Sequence, residues 1–322
     1  MSLNPAVSEL IVVSNNTQPL GFVSLPEDRL TQSVQPRLHG RLWLNFDYVS
    51  DITQAPGHTR LNVRAQQPPL QVIRAFQAPD GAALVHLHNL SGGVLGGDRL
   101  ELKVEVGPQA QVQLTSTGAT RLYRQRAGLP AAEQSTEIQV AEGGLLEYLP
   151  DPLIPFAGSC YQQTTHIELS PGAGLFWWET IAPGREARGE LFEYDRLQIQ
   201  LDLTVAGKTI ALERLRLEPQ LRPMRSVARL GPYRYTTSFY ICRPGLEAAA
   251  WLKLETDLLE LARELSKAGE VIWGVSALPA HGLIVRGLSQ THPNIAAGLP
   301  AFWQQAKQAL YGRAAAPPRK IY

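Results

Sequence analysis

The sequence predicts a mainly β fold: a helicoid stack of many β-strands in one large domain, residues 37–322, with two α-helices near the C-terminus. Three observations predict it. Apolar and polar residues alternate at period two over long stretches, the mark of strands with one dry face. Glycine (27) and proline (24) together make up about 16% of the 322 residues, above the ~12% usual for the pair, while charged residues are only 18%. Finally, an apolar strand end, a glycine-containing turn and a second apolar strand recur about every 30–35 residues, a period that suits stacked layers of β structure.

Residues 1–36 have weak periodicity and read as a poorly ordered arm. From Arg37 the pattern changes. Leu42, Leu44, Phe46 and Tyr48 share one face of a strand, and Arg41, Trp43, Asn45 and Asp47 the other. Residues 99–106 and 197–205 alternate more regularly still. Further strands are expected at 59–65, 70–76, 82–89, 110–115, 136–140, 145–149, 163–169, 175–181, 190–196, 208–217, 233–241, 271–277 and 282–287. Turns such as Gly107-Pro108, Gly143-Gly144, Pro171-Gly172 and Ala206-Gly207 separate many of them. The repeat is plainest where IQVAEGGLLEYL (138–149) aligns with IELSPGAGLFWW (167–178); residues 104–114 and 203–213 follow it. Successive antiparallel hairpins would write the same text. A helix is expected at about 245–267, where Leu246, Ala250, Leu254, Leu258, Leu261 and Leu265 recur every three or four residues. A second is expected at about 299–311, with Phe302, Ala306, Ala309 and Leu310 on one face and Gly312 after it.

Thirty Lys+Arg against 29 Asp+Glu leave a formal charge of +1. That gives no global basis for binding nucleic acid or an anionic membrane. No apolar run reaches the ~18 residues of a membrane helix, and the N-terminus lacks the basic region of a signal peptide. Two cysteines, Cys160 and Cys242, exclude a disulfide scaffold and a four-cysteine zinc site. Their scarcity suits a cytoplasmic protein.

Signatures of catalysis are missing from the text. There is no phosphate-binding G-x-x-x-x-G-K-[ST], no H-E-x-x-H and no G-x-S-x-G elbow. The cluster SGGVLGGD (91–98) precedes a strand, not a helix, so Gly92, Gly93, Gly96, Gly97 and Asp98 read as a sharp structural turn. His86 and His88 share one face of a strand at a spacing that can bind a transition metal, or are two polar residues on a wet face. Glu142, Glu147, Asp151, Glu179, Glu186, Glu190 and Glu193 cluster within about fifty residues. Glu147 and Glu179 follow apolar runs, so either can point into an interior, where a carboxylate is costly unless paired or metal-bound. Arg185 and Arg188 are natural partners in an ion-pair network. The alternative is a polar passage that holds or conducts a cation.

In order, HGRLWLNFDY (39–48), PPL (68–70), SGGVLGGDRLEL (91–102), QLTSTGATRLYR (113–124), LLEYLPDPLIPFAGSCYQQ (145–163), PGREARGELFEYDRL (183–197) and PPRKIY (317–322) resemble the urease accessory protein UreD (UreH) family. The resemblance covers nearly all of 37–322; residues 1–36 have no counterpart in it, and the His86-x-His88 pair departs from it. It implies a helicoid β fold and a non-enzymatic role. Such a protein is expected to bind apo-urease and UreF, with the GTPase UreG joining through UreF, and to assist nickel insertion. No cofactor is expected to stay bound, although nickel can pass transiently. The family's proposed internal tunnel makes Glu147, Asp151, Glu179 and Glu190 candidates for its lining. Spaced single carboxylates admit a hydrated ion and still release it. Arg121, Tyr123, Arg124, Arg185 and Arg188 are candidates for partner contacts, since Arg and Tyr are enriched at interface hot spots. Two rival readings are a metal-dependent hydrolase using His86 and His88, and a glycan-binding surface built on Trp43, Trp177 and Trp178.

Overall fold

The computed structural model describes residues 38–51 and 54–318. The expected arm at 1–36 and the last four residues of PPRKIY lie outside them. In chain order the strands are β1 (His39–Asp51), β2 (Gln54–Gln67), β3 (Leu70–Gln71), β4 (Ala75–Gln77), β5 (Ala83–Asn89), β6 (Arg99–Val106), β7 (Gln111–Ser116), β8 (Thr120–Leu122), β9 (Ala132–Val140), β10 (Leu145–Tyr148), β11 (Leu153–Pro155), β12 (Cys160–Leu169), β13 (Gly174–Ile181), β14 (Arg196–Val205), β15 (Lys208–Leu217), β16 (Tyr235–Cys242), β17 (Val271–Ala277) and β18 (Gly282–Ser289). Helix α1 (Ala248–Leu265) lies between β16 and β17, and α2 (His292–Tyr311) follows β18. The fold is mainly β, as the alternation requires.

The strands form two sheets. The first has the order β15-β14-β12-β9-β6-β1-β2. Its five central strands run parallel, and β2 and β15 fold back antiparallel at its edges. The second follows β17-β18-β16-β13-β10-β7-β5-β3, with β4, β8 and β11 attached; its strands β5, β7, β10 and β13 run parallel. The chain therefore visits the sheets by turns, β6 then β7, β9 then β10, β12 then β13, each coil laid beside the last.

This alternation is the physical origin of the repeat. Val104, Ile138, Ile167 and Leu203 are successive in-register neighbours in the first sheet, at spacings of 34, 29 and 36 residues. Val112, Leu146 and Leu175 do the same in the second. The fourth segment, 203–213, keeps register only as far as Val205. Ala206 and Gly207, both with positive φ (49° and 74°), then turn it back as the β14–β15 hairpin. Parallel coils, not consecutive hairpins, account for the repeat. Between the sheets, Val104, Leu114, Leu146 and Leu203 are each fully closed off from solvent. Each such side chain contributes roughly 1.5–3 kcal/mol of burial.

Helices cover only the outer face of the second sheet. Leu254, Leu258 and Ala262 of α1, four residues apart as expected, pack there with Phe302, Trp303 and Leu310 of α2 against Phe176, Trp178 and Phe239. Helix α2 begins seven residues earlier than the spacing predicts. Pro293 sits in its first turn and Pro300 inside it. An internal proline loses a hydrogen bond; packing of α2 against the sheet outweighs that loss. The strand expected at 190–196 is not there: residues 186–188 form one 3-10 turn, Phe192 has positive φ, and β14 starts only at Arg196. No helix among the described residues is long and apolar enough to cross a membrane.

Candidate functional site

The space between the sheets is apolar at both ends and polar in the middle. Along β9 the inward residues run Ala132, Gln134, Thr136, Ile138, and along β12 they run Tyr161, Gln163, Thr165, Ile167. The pairs Gln134–Gln163 and Thr136–Thr165 are in register. Two apolar clusters flank this belt, one containing Ile138 and Ile167, the other Ala132 and Tyr161. Opposite, on the second sheet, stand Tyr148, Trp177 and Glu179. Together these groups enclose a cavity of about 40 Å³, room for a few waters.

Glu179 and Asp151 are the carboxylates of this cavity. Glu179 Oε1 accepts a hydrogen bond from Gln163 Nε2. The Tyr161 hydroxyl donates to Gln134 Oε1 and Gln163 Oε1, each at 3.1 Å. Thr165 Oγ1 is buried and has no protein partner. Burial pushes the Glu179 carboxyl up to about 7, with nearby Glu213 adding to the shift and the Gln163 bond opposing it. Glu213 was not singled out by sequence reasoning. It lies on edge strand β15, accepting from Arg286 Nη1 (2.8 Å) and from the Tyr240 hydroxyl (2.5 Å).

Asp151 borders the same cavity and also lines an open cleft of about 960 Å³. Its Oδ2 accepts from Ser116 Oγ at 2.8 Å, and its own N–H donates to Ser116 Oγ at 2.7 Å. The cleft lies at the end where the first sheet's parallel strands begin. Phe156 is at its heart. Tyr123 meets Phe156 edge-on with centroids 5.1 Å apart, and the Arg185 guanidinium lies 4.3 Å from the ring centroid. Glu190 holds Arg185 by a two-pronged ion pair and also accepts the Ala157 N–H. Arg121 and Arg188 line the cleft and are exposed. Arg124 is exposed beside Gly158, its Nε donating to the Ala157 carbonyl at 3.4 Å.

Across this chain the match to the family model described as UreD urease accessory protein runs from residue 39 to 321. The chain belongs to the UreD urease accessory protein family. A urease accessory protein UreD from Herpetosiphon aurantiacus is 46% identical over 286 residues, spanning 89% of this chain and 97% of its own. UreD 2 from Pseudomonas syringae pv. tomato is 34% identical over 286 residues, with 88% and 95% covered. UreD from Pseudomonas aeruginosa is 33% identical over 288 residues, with 89% and 96% covered.

The stretches that carry the UreD resemblance converge in space. Loop 91–98 pairs with strand 120–122 through the Val94 N–H to the Arg121 carbonyl and the Tyr123 N–H to the Val94 carbonyl, both 2.8 Å. Gly93 is needed for this approach, since a Cβ there would sit 2.4 Å from the Tyr123 ring. Gly97 turns the chain with φ of 89°. Gly92 and Gly96 lie in the same reversal, and Asp98 closes it by accepting the Leu95 N–H at 2.9 Å. Residues drawn from 119–123, 151–156 and 184–188, all in UreD-like stretches, make up most of the cleft lining.

The remaining candidates fall elsewhere. Glu147 faces the helices, not the cavity: it pairs with Lys307 of α2 at 2.6 Å, both side chains 6% exposed. Glu190 belongs to the Arg185 clamp and does not line the inner cavity. His86 and His88 lie on the outer face of β5, with His86 edge-on to Phe76 at 5.8 Å. Burial and His86 lower the His88 pKa. Among the described residues no group of three or more His, Cys, Asp and Glu is placed to hold a metal ion. Trp177 and Trp178 are buried, which leaves only Trp43 of the suggested tryptophan platform exposed. Both cysteines are free. A signal for the belt was present in the text: the dry face of two consecutive coils is interrupted at the same two places, by Gln134-x-Thr136 and by Gln163-x-Thr165.

Proposed function

We propose that this chain acts in urease maturation as a non-catalytic scaffold. In this reading it binds apo-urease and UreF, through which UreG joins, and lends its inter-sheet cavity to nickel on the way to the urease active site. The observation that carries the reading is the polar belt at Glu179, whose cavity shares Asp151 with the lining of the open cleft, in a chain of this family. Nickel, the cargo here, favours carboxylate, imidazole and water ligands. Glu179 stands in no ion pair among the described residues, so a guest cation would supply the missing charge. One carboxylate at a time binds weakly enough for release. The names of the relatives, accessory proteins all, support a role beside urease over independent turnover. Glu147 and Glu190 drop off the proposed route because Lys307 and Arg185 already neutralise them.

The test is co-expression with a urease operon lacking its own copy, measuring nickel per purified urease and co-purification of UreF. Glu179→Ala and Asp151→Ala are expected to lower nickel loading several-fold while the complex still assembles. Normal loading in either variant removes that residue from the route. Failure of the unaltered chain to co-purify with urease or UreF removes the scaffold itself.

A further inference from the structure

We propose that the cleft around Phe156 is a docking groove for an acidic segment of a partner protein, one that carries carboxylates flanking an apolar side chain. The inference rests on the scaffold reading and specifies the chemistry of what is held.

Charge is the first argument. The loops framing this end, residues 117–131, 182–195 and 218–234, contain nine arginines, no lysine and five carboxylates. The lining holds two carboxylates, Asp151 and Glu186. Asp151 accepts from Ser116 Oγ, Glu186 accepts from Arg234 and from the Tyr235 hydroxyl, and Glu190, beside the lining, accepts from Arg185 and the Ala157 N–H. Arg121 and Arg188 are exposed, line the groove and form no ion pair among the described residues. The surplus is therefore cationic, and it is made of guanidinium groups, whose planar fork matches a carboxylate bidentately.

Shape is the second argument. The floor is Phe156, Ile154, Ala182 and the edge of Tyr123. Arg185 is fixed over Phe156 by Glu190, so little side-chain freedom remains to be lost on binding. An aromatic–arginine stack held ready in this way is typical of interface hot spots. The volume of about 960 Å³ lies at the upper end of the roughly 300–1,000 Å³ of small-molecule pockets, and the site is open, which suits a length of polypeptide. Arg121 also borders a second recess of about 240 Å³, lined by Ser116, Thr117, Thr120 and the backbone of Gly92 and Gly93. There the hydroxyls of Thr117 and Thr120 share a recess with Arg121, a seat for one carboxylate, while the Ser116 hydroxyl is spent on Asp151. An apolar floor serves a leucine or phenylalanine side chain and offers nothing to a phosphodiester backbone. This favours an acidic peptide over RNA.

The test uses the full chain and fluorescence anisotropy with three short labelled peptides: Asp/Glu-rich with two leucines, the same with serines for leucines, and a Lys-rich analogue with the leucines kept. A labelled RNA oligomer is the fourth probe. The acidic, leucine-bearing peptide is expected to bind most tightly. Its affinity should fall about tenfold between about 50 mM and about 500 mM NaCl, as screening of surface charge requires. Arg121→Glu and Arg188→Glu should each weaken it at least tenfold, while Arg229→Glu, on the same end but outside the groove lining, should change it less than twofold. Equal binding of the Lys-rich peptide, tighter binding of RNA, or indifference to both charge reversals would overturn the inference. Co-purification of urease and UreF is measured on the same preparations. If the unaltered chain assembles with them but the peptide results are negative, the groove falls and the scaffold stands. If it does not assemble, the scaffold falls whatever the peptides do.

Discussion

Two carboxylates sit on neighbouring strands of the second sheet, Glu147 on β10 and Glu179 on β13, and meet opposite fates. Glu147 points out of the sheet toward α2, where Lys307 closes on it at 2.6 Å and Gln113 Nε2 approaches at 3.5 Å. Glu179 points between the sheets, where amide and phenol groups are the nearest polar company. Burial raises both carboxyls, and at Glu147 the lysine pulls back against that rise. One carboxylate, fully buried, is matched internally and therefore cements two layers, while Glu179 is half-buried. The other is left for a proton or a visiting cation to match. The difference separates a structural ion pair from a receptive site more clearly than burial alone does.

The largest expected effect is on the matched side. Lys307→Ala should lower stability by about 3–5 kcal/mol, because it strands a carboxylate between sheet and helix. Urea denaturation at pH 8 measures it. Glu147→Gln combined with Lys307→Met should recover most of the loss, since two neutral groups of similar size need no charge partner. A loss below about 1 kcal/mol in the single variant would mean that water reaches Glu147 and that the contrast with Glu179 is false.

On the receptive side the effect is a dependence on pH. The Glu179 pKa is raised from an ordinary 4.5 to about 7 in the folded chain. The folded state therefore holds this proton more tightly than the unfolded state. Stability falls as pH rises from about 4.5 to about 7 and stays lower above that, by about 3 kcal/mol at one pKa unit per 1.36 kcal/mol. Glu179→Gln should lack this decline and be more stable than the unaltered chain at pH 8. Matching pH profiles for the two proteins would place Glu179 in contact with bulk water. By the same linkage, cation uptake at this site should strengthen as pH rises through about 7.

The contrast between the two residues was half legible in the sequence. The alignment of 138–149 with 167–178 sets Glu147 over Phe176 and Tyr148 over Trp177, and the structure pairs them in that register. Phe176 faces the helices and Trp177 the inter-sheet space, so the repeat already implied that Glu147 and Glu179 face opposite ways. The coiled β architecture was readable because alternation and period are local properties of the chain. Lys307 as a partner was not, because 160 residues separate it from Glu147 and α2 begins seven residues before its apolar stripe suggests. Glu213 was hidden for another reason. It occupies a polar position on an edge strand, and nothing in LERLRL shows that the β14–β15 hairpin brings it toward Tyr240 of the other sheet. The cleft was legible only as separate motifs; their convergence depends on the loops of successive coils lying side by side.

The smallest expected effect tests whether the belt is wet. Thr165 Oγ1 is buried without a protein partner, in register with Thr136 on the same wall of the cavity. A passage for a hydrated ion needs water there, and a cavity of about 40 Å³ admits it. In a wet cavity the hydroxyl already bonds to water, and Thr165→Val forfeits that bond and should cost about 1 kcal/mol. In a dry cavity the hydroxyl is unsatisfied, and the same substitution should stabilise the chain by a similar amount. The sign of the change in urea midpoint thus decides between them. A gain would count against any aqueous route past Glu179, whatever the carboxylate's own titration shows.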